Sequence, residues 1–143
     1  MSFKIFLEKK EEEKDIENLL NKLPKKHKDL LKNFNFKYTP GNTLDNDKDH
    51  IGVILKNKIT VAAPWNYSRK FTTLHEIAHL IWEEIVTKEQ KKEWSEIVKK
   101  TKGKQNQNNE ELFCMAYGCY YSNKHCPRIH DHETWNEFIK KIQ

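Results

Sequence analysis

Cysteine is scarce in this chain. Cys114, Cys119 and Cys126 are the only three, they make no disulfide framework, and an odd count fits a reducing compartment. No apolar run approaches the length that crosses a membrane. The first ten residues, Met1 to Lys10, hold too short an apolar stretch for a signal peptide, and acidic residues follow at once. The expected location is cytoplasmic if Met1 is the native start, and secreted if a leader was removed. Excess charge of one sign is also small. The formal net charge is +5, with Lys mixed among Glu along most of the chain, which describes a solvated surface rather than a nucleic-acid stripe. Repeats are absent, and the one low-complexity stretch is polar, Lys102 to Asn109.

What is present is a small core in a highly charged chain. Hydrophobic residues make up 36% and charged residues 33%, with four Trp, five Tyr and seven Phe, a content that argues against disorder. At 143 residues the chain suits one domain, residues 1–143, and is too short for two ordinary ones.

Helical spacing runs from Asp15 to Leu23 through Ile16, Leu19 and Leu20. Pro24 can open a second helix with Leu30 and Leu31 on its buried side. Residues 3–7 are a short apolar run, and Tyr38 to Asn42 reads as a turn before an acidic loop. Ile51–Leu55 and Lys58–Ala63 read as two strands joined at Lys56-Asn57, a turn weakened by its lack of glycine. Ser68 is a candidate N-cap for a helix to about Val86. Thr87-Lys88-Glu89-Gln90 has the form of a capping box before a helix with Trp94 and Ile97. Asn108 or Asn109 can cap a helix from Glu110 to Tyr121. Asp131 can cap a last helix bearing Trp135, Phe138 and Ile142.

The run Thr73-Leu74-His75-Glu76-Ile77-Ala78-His79-Leu80-Ile81 carries the chemistry. It is HExxH, the zinc-peptidase signature. One helical turn separates His75 from His79, so both imidazoles lie on one face and can share a metal. Glu76, beside them, can take a proton from a water activated by the metal and pass it to a leaving amine. The flanking Leu74, Ile77, Ala78, Leu80 and Ile81 are uncharged, as a helix under an active-site cleft requires.

A catalytic zinc needs a third protein ligand and an open position for water. The metzincin extension is excluded, because Trp82 and Ile85 stand where its Gly and His would be. Glu83 lies on the same helix, and three ligands along one straight helix cannot easily surround a metal. Glu110 and Glu111, on a separate helix, are better placed. Glu111 shares a stripe with the small residues Cys114 and Gly118, which would let its helix approach the HExxH helix closely at Ala78. Glu110 shares its stripe with Phe113 and Tyr117, which would hold the helices apart. The stripe argument therefore favours Glu111 as ligand and leaves Glu110 as the alternative. The plain structural reading is an acid favoured by the helix N-terminus.

HExxH followed by a helical Glu is the gluzincin pattern. The segment Asn109-Glu110-Glu111-Leu112-Phe113-Cys114-Met115-Ala116-Tyr117 resembles the second motif of the anthrax lethal factor catalytic domain and the Pro-Pro endopeptidases. That motif reads Glu, apolar, Phe, small, any, Ala, aromatic, and it puts the ligand on Glu111. Thr134 to Ile139 is similar to that group's terminal helix. The resemblance spans about residues 50–143. It implies an α+β, zincin-like fold, with a small sheet packed on the active-site helix and additional C-terminal helices. It implies one catalytic zinc on His75, His79 and Glu111, Glu76 as the catalytic acid–base, and a protein or peptide substrate. The ImmA/IrrE-type peptidases share the architecture with a different second-motif spacing. A zinc-binding interaction domain without turnover is the competing class. Nucleic acid and membrane are not expected as partners.

In the lethal-factor-like group a Tyr upstream of the ligand Glu steadies the oxyanion, and the loop 102–108 has none. Lys104, Tyr117, Tyr121 or a downstream His are the candidates for that role. His125, Cys126, His130 and His132, with Cys119, match no common zinc module and read more simply as a solvated loop. Trp65, Tyr67 and Arg69 read as packing and helix-start residues. The strand 58–63 is a candidate cleft rim where an extended substrate could add.

Overall fold

The structure, a computed structural model, describes residues 16–39, 52–55, 58–62, 69–101, 107–122 and 132–143. The expected features at residues 3–7, Lys56-Asn57, Trp65, Tyr67, Ser68, Lys104, His125, Cys126, His130 and Asp131 lie outside these. The chain divides into two compact units, Met1–Lys70 and Phe71–Gln143.

The first unit holds helix α1 over 16–21, helix α2 (Lys25–Leu30) and three strands, β1 (Asn35–Thr39), β2 (Gly52–Leu55) and β3 (Lys58–Ala62). Pro24 is the N-cap of α2, and its carbonyl accepts from the Lys28 amide at 3.0 Å. Leu19, Leu23 and Leu31 are buried with His27, so α2 turns a histidine inward while Leu30 stays half-buried. The strand order is β1-β3-β2. β2 and β3 are antiparallel, with Leu55 opposite Lys58, and β1 joins parallel to β3, with Asn35 opposite Lys58. The residues expected to start a turn at Tyr38 instead end β1.

The second unit is helical throughout its described residues, from α3 (Arg69–Glu84, beginning just before the unit boundary) through α4 (Lys88–Thr101), α5 (Asn109–Ser122) and α6 (His132–Lys141). The capping box forms: the Thr87 amide donates to Gln90 Oε1 at 2.9 Å and the Gln90 amide to Thr87 Oγ1 at 3.1 Å. Asn108 is the residue that caps α5, accepting from the Glu111 amide at 2.9 Å through Oδ1. Each bond satisfies an amide that the first helical turn leaves without an intrahelical partner.

The core of this unit is aromatic. Phe113 of α5 meets Trp82 of α3 at 5.1 Å between ring centroids, Trp94 of α4 at 6.0 Å and Phe138 of α6 at 6.3 Å. One side chain thus joins all four helices. Trp94 also meets Trp135 and Phe138, each at 5.0 Å. The indoles are satisfied as well as packed: Trp94 Nε1 donates to the Asn109 carbonyl at 2.8 Å and Trp135 Nε1 to Thr101 Oγ1 at 2.6 Å.

The α+β expectation is corrected. The described chain is mostly helical, its strands are short, and none lies in the unit that carries nearly all of the HExxH helix. The physical reason is the pattern on α3 and α5. Leu74, Ile77, Ala78 and Ile81 on one, with Leu112, Phe113, Ala116 and Tyr117 on the other, are fully buried or nearly so. α3 carries the wide apolar stripe of a helix that packs on helices, and α5 is buried nearly all round, as the central helix of such a unit is.

The absence of disulfides is also corrected: Cys119 is disulfide-bonded, while Cys114 is a free, buried thiol. No described helix is long and apolar enough to cross a membrane.

Candidate metal centre

α3 and α5 run in opposite senses along their contact. Phe71 stands against Gly118 at one end, and His79 against Glu110 at the other. The close approach expected from the stripe of small residues is made at Phe71. An added Cβ on Gly118 would stand 2.9 Å from Phe71 Cε2. This packing brings the first turn of α5, with its two acids, over the HExxH face of α3.

Four side chains converge there. His75 Nε2 is 3.1 Å from Glu111 Oε2. His79 Nε2 is 3.1 Å from Glu111 Oε1, and His79 Nδ1 is 3.1 Å from Glu110 Oε2. The two imidazoles meet edge-on with centroids 5.3 Å apart. His75 and His79 are 23% and 24% exposed, so the group is reached from solvent on one side. Its other side is closed by Cys114, fully buried on α5. One donor atom each of His75, His79 and Cys114 lie within 4.8 Å of one another.

Hydrogen-bond valence shows what this arrangement suits. A carboxylate only accepts, and a neutral imidazole has one N–H. His79 has a carboxylate oxygen at each ring nitrogen. One N–H cannot serve both, so either the ring is the imidazolium, whose two N–H groups satisfy both carboxylates, or a cation must sit between the lone pair and the oxyanion. A cation shared by His75 Nε2, His79 Nε2 and Glu111 is the second of these solutions. Tetrahedral zinc with bonds of about 2.0–2.1 Å to N and O sets neighbouring ligand atoms roughly 3.3 Å apart. The two separations of 3.1 Å to Glu111, one to each carboxylate oxygen, are within a few tenths of an ångström of that. Imidazole nitrogen and carboxylate oxygen are donor types that zinc takes.

Electrostatics agree with ligand use. Burial pushes the His75 imidazole below its ordinary pKa, with Glu111 pulling upward and His79 pushing further down, so the neutral form that can bind a metal is favoured. The Cys114 thiol is pushed well above its ordinary value, first by burial and then by the charges of Glu111, Glu110 and Glu76. As a thiol it is inert, although a coordinating metal deprotonates such a group outright.

Glu76 follows His75 on α3 and is half-buried, near enough for its charge to act on Cys114. Glu83 is exposed. Tyr117 and Tyr121, two candidates for steadying an oxyanion, belong to the core. Tyr117 is fully buried between the Phe113 and Tyr121 rings, and the Tyr121 hydroxyl accepts from Gln143 Nε2 at 3.1 Å. Neither is presented to the open side of the histidines. The remaining candidates, Lys104 and the histidines after α5, lie outside the described residues or begin α6 at His132.

Two contacts lie beyond what spacing alone shows. By sequence Cys114 is only a small residue of the stripe, yet it stands one turn beyond Glu111 on it, the signal that places its thiol near both histidines. Glu110, by sequence a rival ligand or a helix-start acid, makes its contact with Nδ1 of His79. No family model, curated protein or solved structure matches this chain.

Proposed function

We propose that this chain is a zinc-dependent endopeptidase, with zinc held by His75, His79 and Glu111. The observation that carries the reading is the convergence of both Nε2 atoms on one carboxylate, beside the half-buried Glu76. Zinc, when bound, supplies an acidified water and polarises the scissile carbonyl. The chain's own residues do the rest. His75 and His79, on one face of α3, and Glu111, on the first turn of α5, would hold the metal. Glu76 takes the proton of the attacking water and delivers it to the departing amine. The resemblance of Glu111–Tyr117 to the lethal factor and Pro-Pro endopeptidase motif supports the same ligand and a protein or peptide substrate.

The direct test uses Glu76→Gln, which keeps size and hydrogen bonding and removes the base. A degenerate peptide library, with chelator-treated protein as the blank, supplies substrate. Cleavage by the wild type and a loss of roughly 100-fold or more in the variant, with zinc retained, is the expected result. Equal rates would refute the mechanism.

A second reading rests on Cys114. With His75, His79 and Glu111 it makes four donors, and a closed four-ligand zinc is structural rather than catalytic. The chain would then be a zinc-binding interaction domain without turnover. Cys114→Ala separates the readings: a catalytic site keeps its zinc, whereas a closed site loses most of its affinity.

A further inference from the structure

We infer that Glu110 is a positioning residue, whose carboxylate grips Nδ1 of His79 and so presents Nε2 to the metal. This inference rests on the zinc reading above. Glu110 Oε2 is 3.1 Å from Nδ1, on the outer edge of the ring, while Glu111 faces Nε2 across it. Because a carboxylate only accepts, the contact requires a proton on Nδ1, and in the neutral ring Nε2 then carries the lone pair a metal needs.

Local structure explains why successive residues can divide these roles. Neighbours on a helix point about 100° apart, so Glu110 and Glu111 reach opposite edges of one imidazole. The turn that bears them is pinned twice. Asn108 caps it through the Glu111 amide, and the Trp94 indole donates to the Asn109 carbonyl. A helix N-terminus also favours negative charge on both side chains. Glu110 is therefore held by a fixed turn against the one ring nitrogen that metal binding leaves unused. A carboxylate behind a metal-binding histidine fixes its tautomer and raises its basicity.

The test compares wild type with Glu110→Ala, Glu110→Gln and Glu111→Ala. Zinc affinity is read by competition with a chromophoric chelator. The protonation of His79 is read from long-range nitrogen–proton NMR on the metal-free protein. Glu110 is 42% exposed, and far-UV circular dichroism verifies that its variants remain folded. Glu110→Ala should weaken zinc binding about 10- to 100-fold and release His79 into mixed tautomers. Glu110→Gln should recover part of the affinity, because its amide oxygen still accepts from Nδ1–H. Glu111→Ala should lose far more.

Unchanged affinity and an unchanged tautomer in Glu110→Ala would overturn the inference and leave the zinc reading standing. A loss as deep as that of Glu111→Ala would also overturn it, by making Glu110 a ligand. If wild type itself binds no zinc, the zinc reading fails and the positioning role fails with it.

Discussion

A Cβ on Gly118 would stand 2.9 Å from Cε2 and 3.1 Å from Cδ2 of Phe71, closer than the two helices allow. Glycine at this point lowers the helix propensity of α5 by about 1 kcal/mol relative to alanine. The close approach offsets that cost by bringing α5 down on α3. Gly118→Leu should therefore destabilise the protein by about 1–3 kcal/mol, the usual range for overpacking. Gly118→Ala should do so less, because its gain in helix propensity opposes a smaller clash. Urea unfolding of both variants checks the order. A leucine variant as stable as wild type would mean that the Phe71 ring yields freely.

Phe113 lies two residues after Glu111 and touches an aromatic ring on each of the other three helices of its unit. Its truncation should cost about 3–5 kcal/mol, the range for a fully buried large aromatic. Metal affinity should fall with it, since the same side chain locks the turn that carries Glu111. Denaturant unfolding with and without zinc measures both effects.

Thr72 Oγ1 is buried without a hydrogen-bond partner among the described residues. A buried hydroxyl left unpaired costs about 1–3 kcal/mol, so Thr72→Val, of nearly equal shape, should leave stability unchanged or raise it. A clear loss of thermal stability in the variant would show that the hydroxyl has a partner in solution.

Tyr121 should titrate late. Burial pushes its phenol up to about 12, the Gln143 hydrogen bond pulls it down, and Tyr120 pushes it further up. The unfolded chain loses this proton near pH 10. Between the two values the unfolded state binds fewer protons, so stability falls as pH rises from about 10 to about 12. Tyr121→Phe should flatten that part of the pH–stability curve. Ultraviolet titration of the phenolate, comparing the two proteins, should show one late-ionising group missing from the variant.

The elements that sequence made legible are those set by local chemistry. The apolar spacing around His75 and His79, the Thr87–Gln90 box and the Asn108 cap depend on neighbours within a turn or two. The small stripe through Glu111, Cys114 and Gly118 was legible as a close-packing face, although its tightest contact is with Phe71 and not at Ala78. What was not legible depends on partners distant in sequence. The strand pattern of residues 51–63 says nothing about what a sheet covers, and α3 turned out to lie in a helical unit. Phe34, Phe36 and Tyr38 alternate with polar residues, a strand signal hidden behind the expected turn at Tyr38. The disulfide of Cys119 depends on proximity that cysteine counting cannot supply. The role of Glu110 depends on which edge of His79 it meets.

Zinc content in the purified protein and its ligand variants tests the central claim most directly. Elemental analysis should find about one zinc per chain in wild type and in Cys114→Ala. It should find little or none in His75→Ala, His79→Ala and Glu111→Ala, because two remaining ligands rarely hold zinc tightly. Full zinc in the two histidine variants, or in Glu111→Ala, would contradict the account.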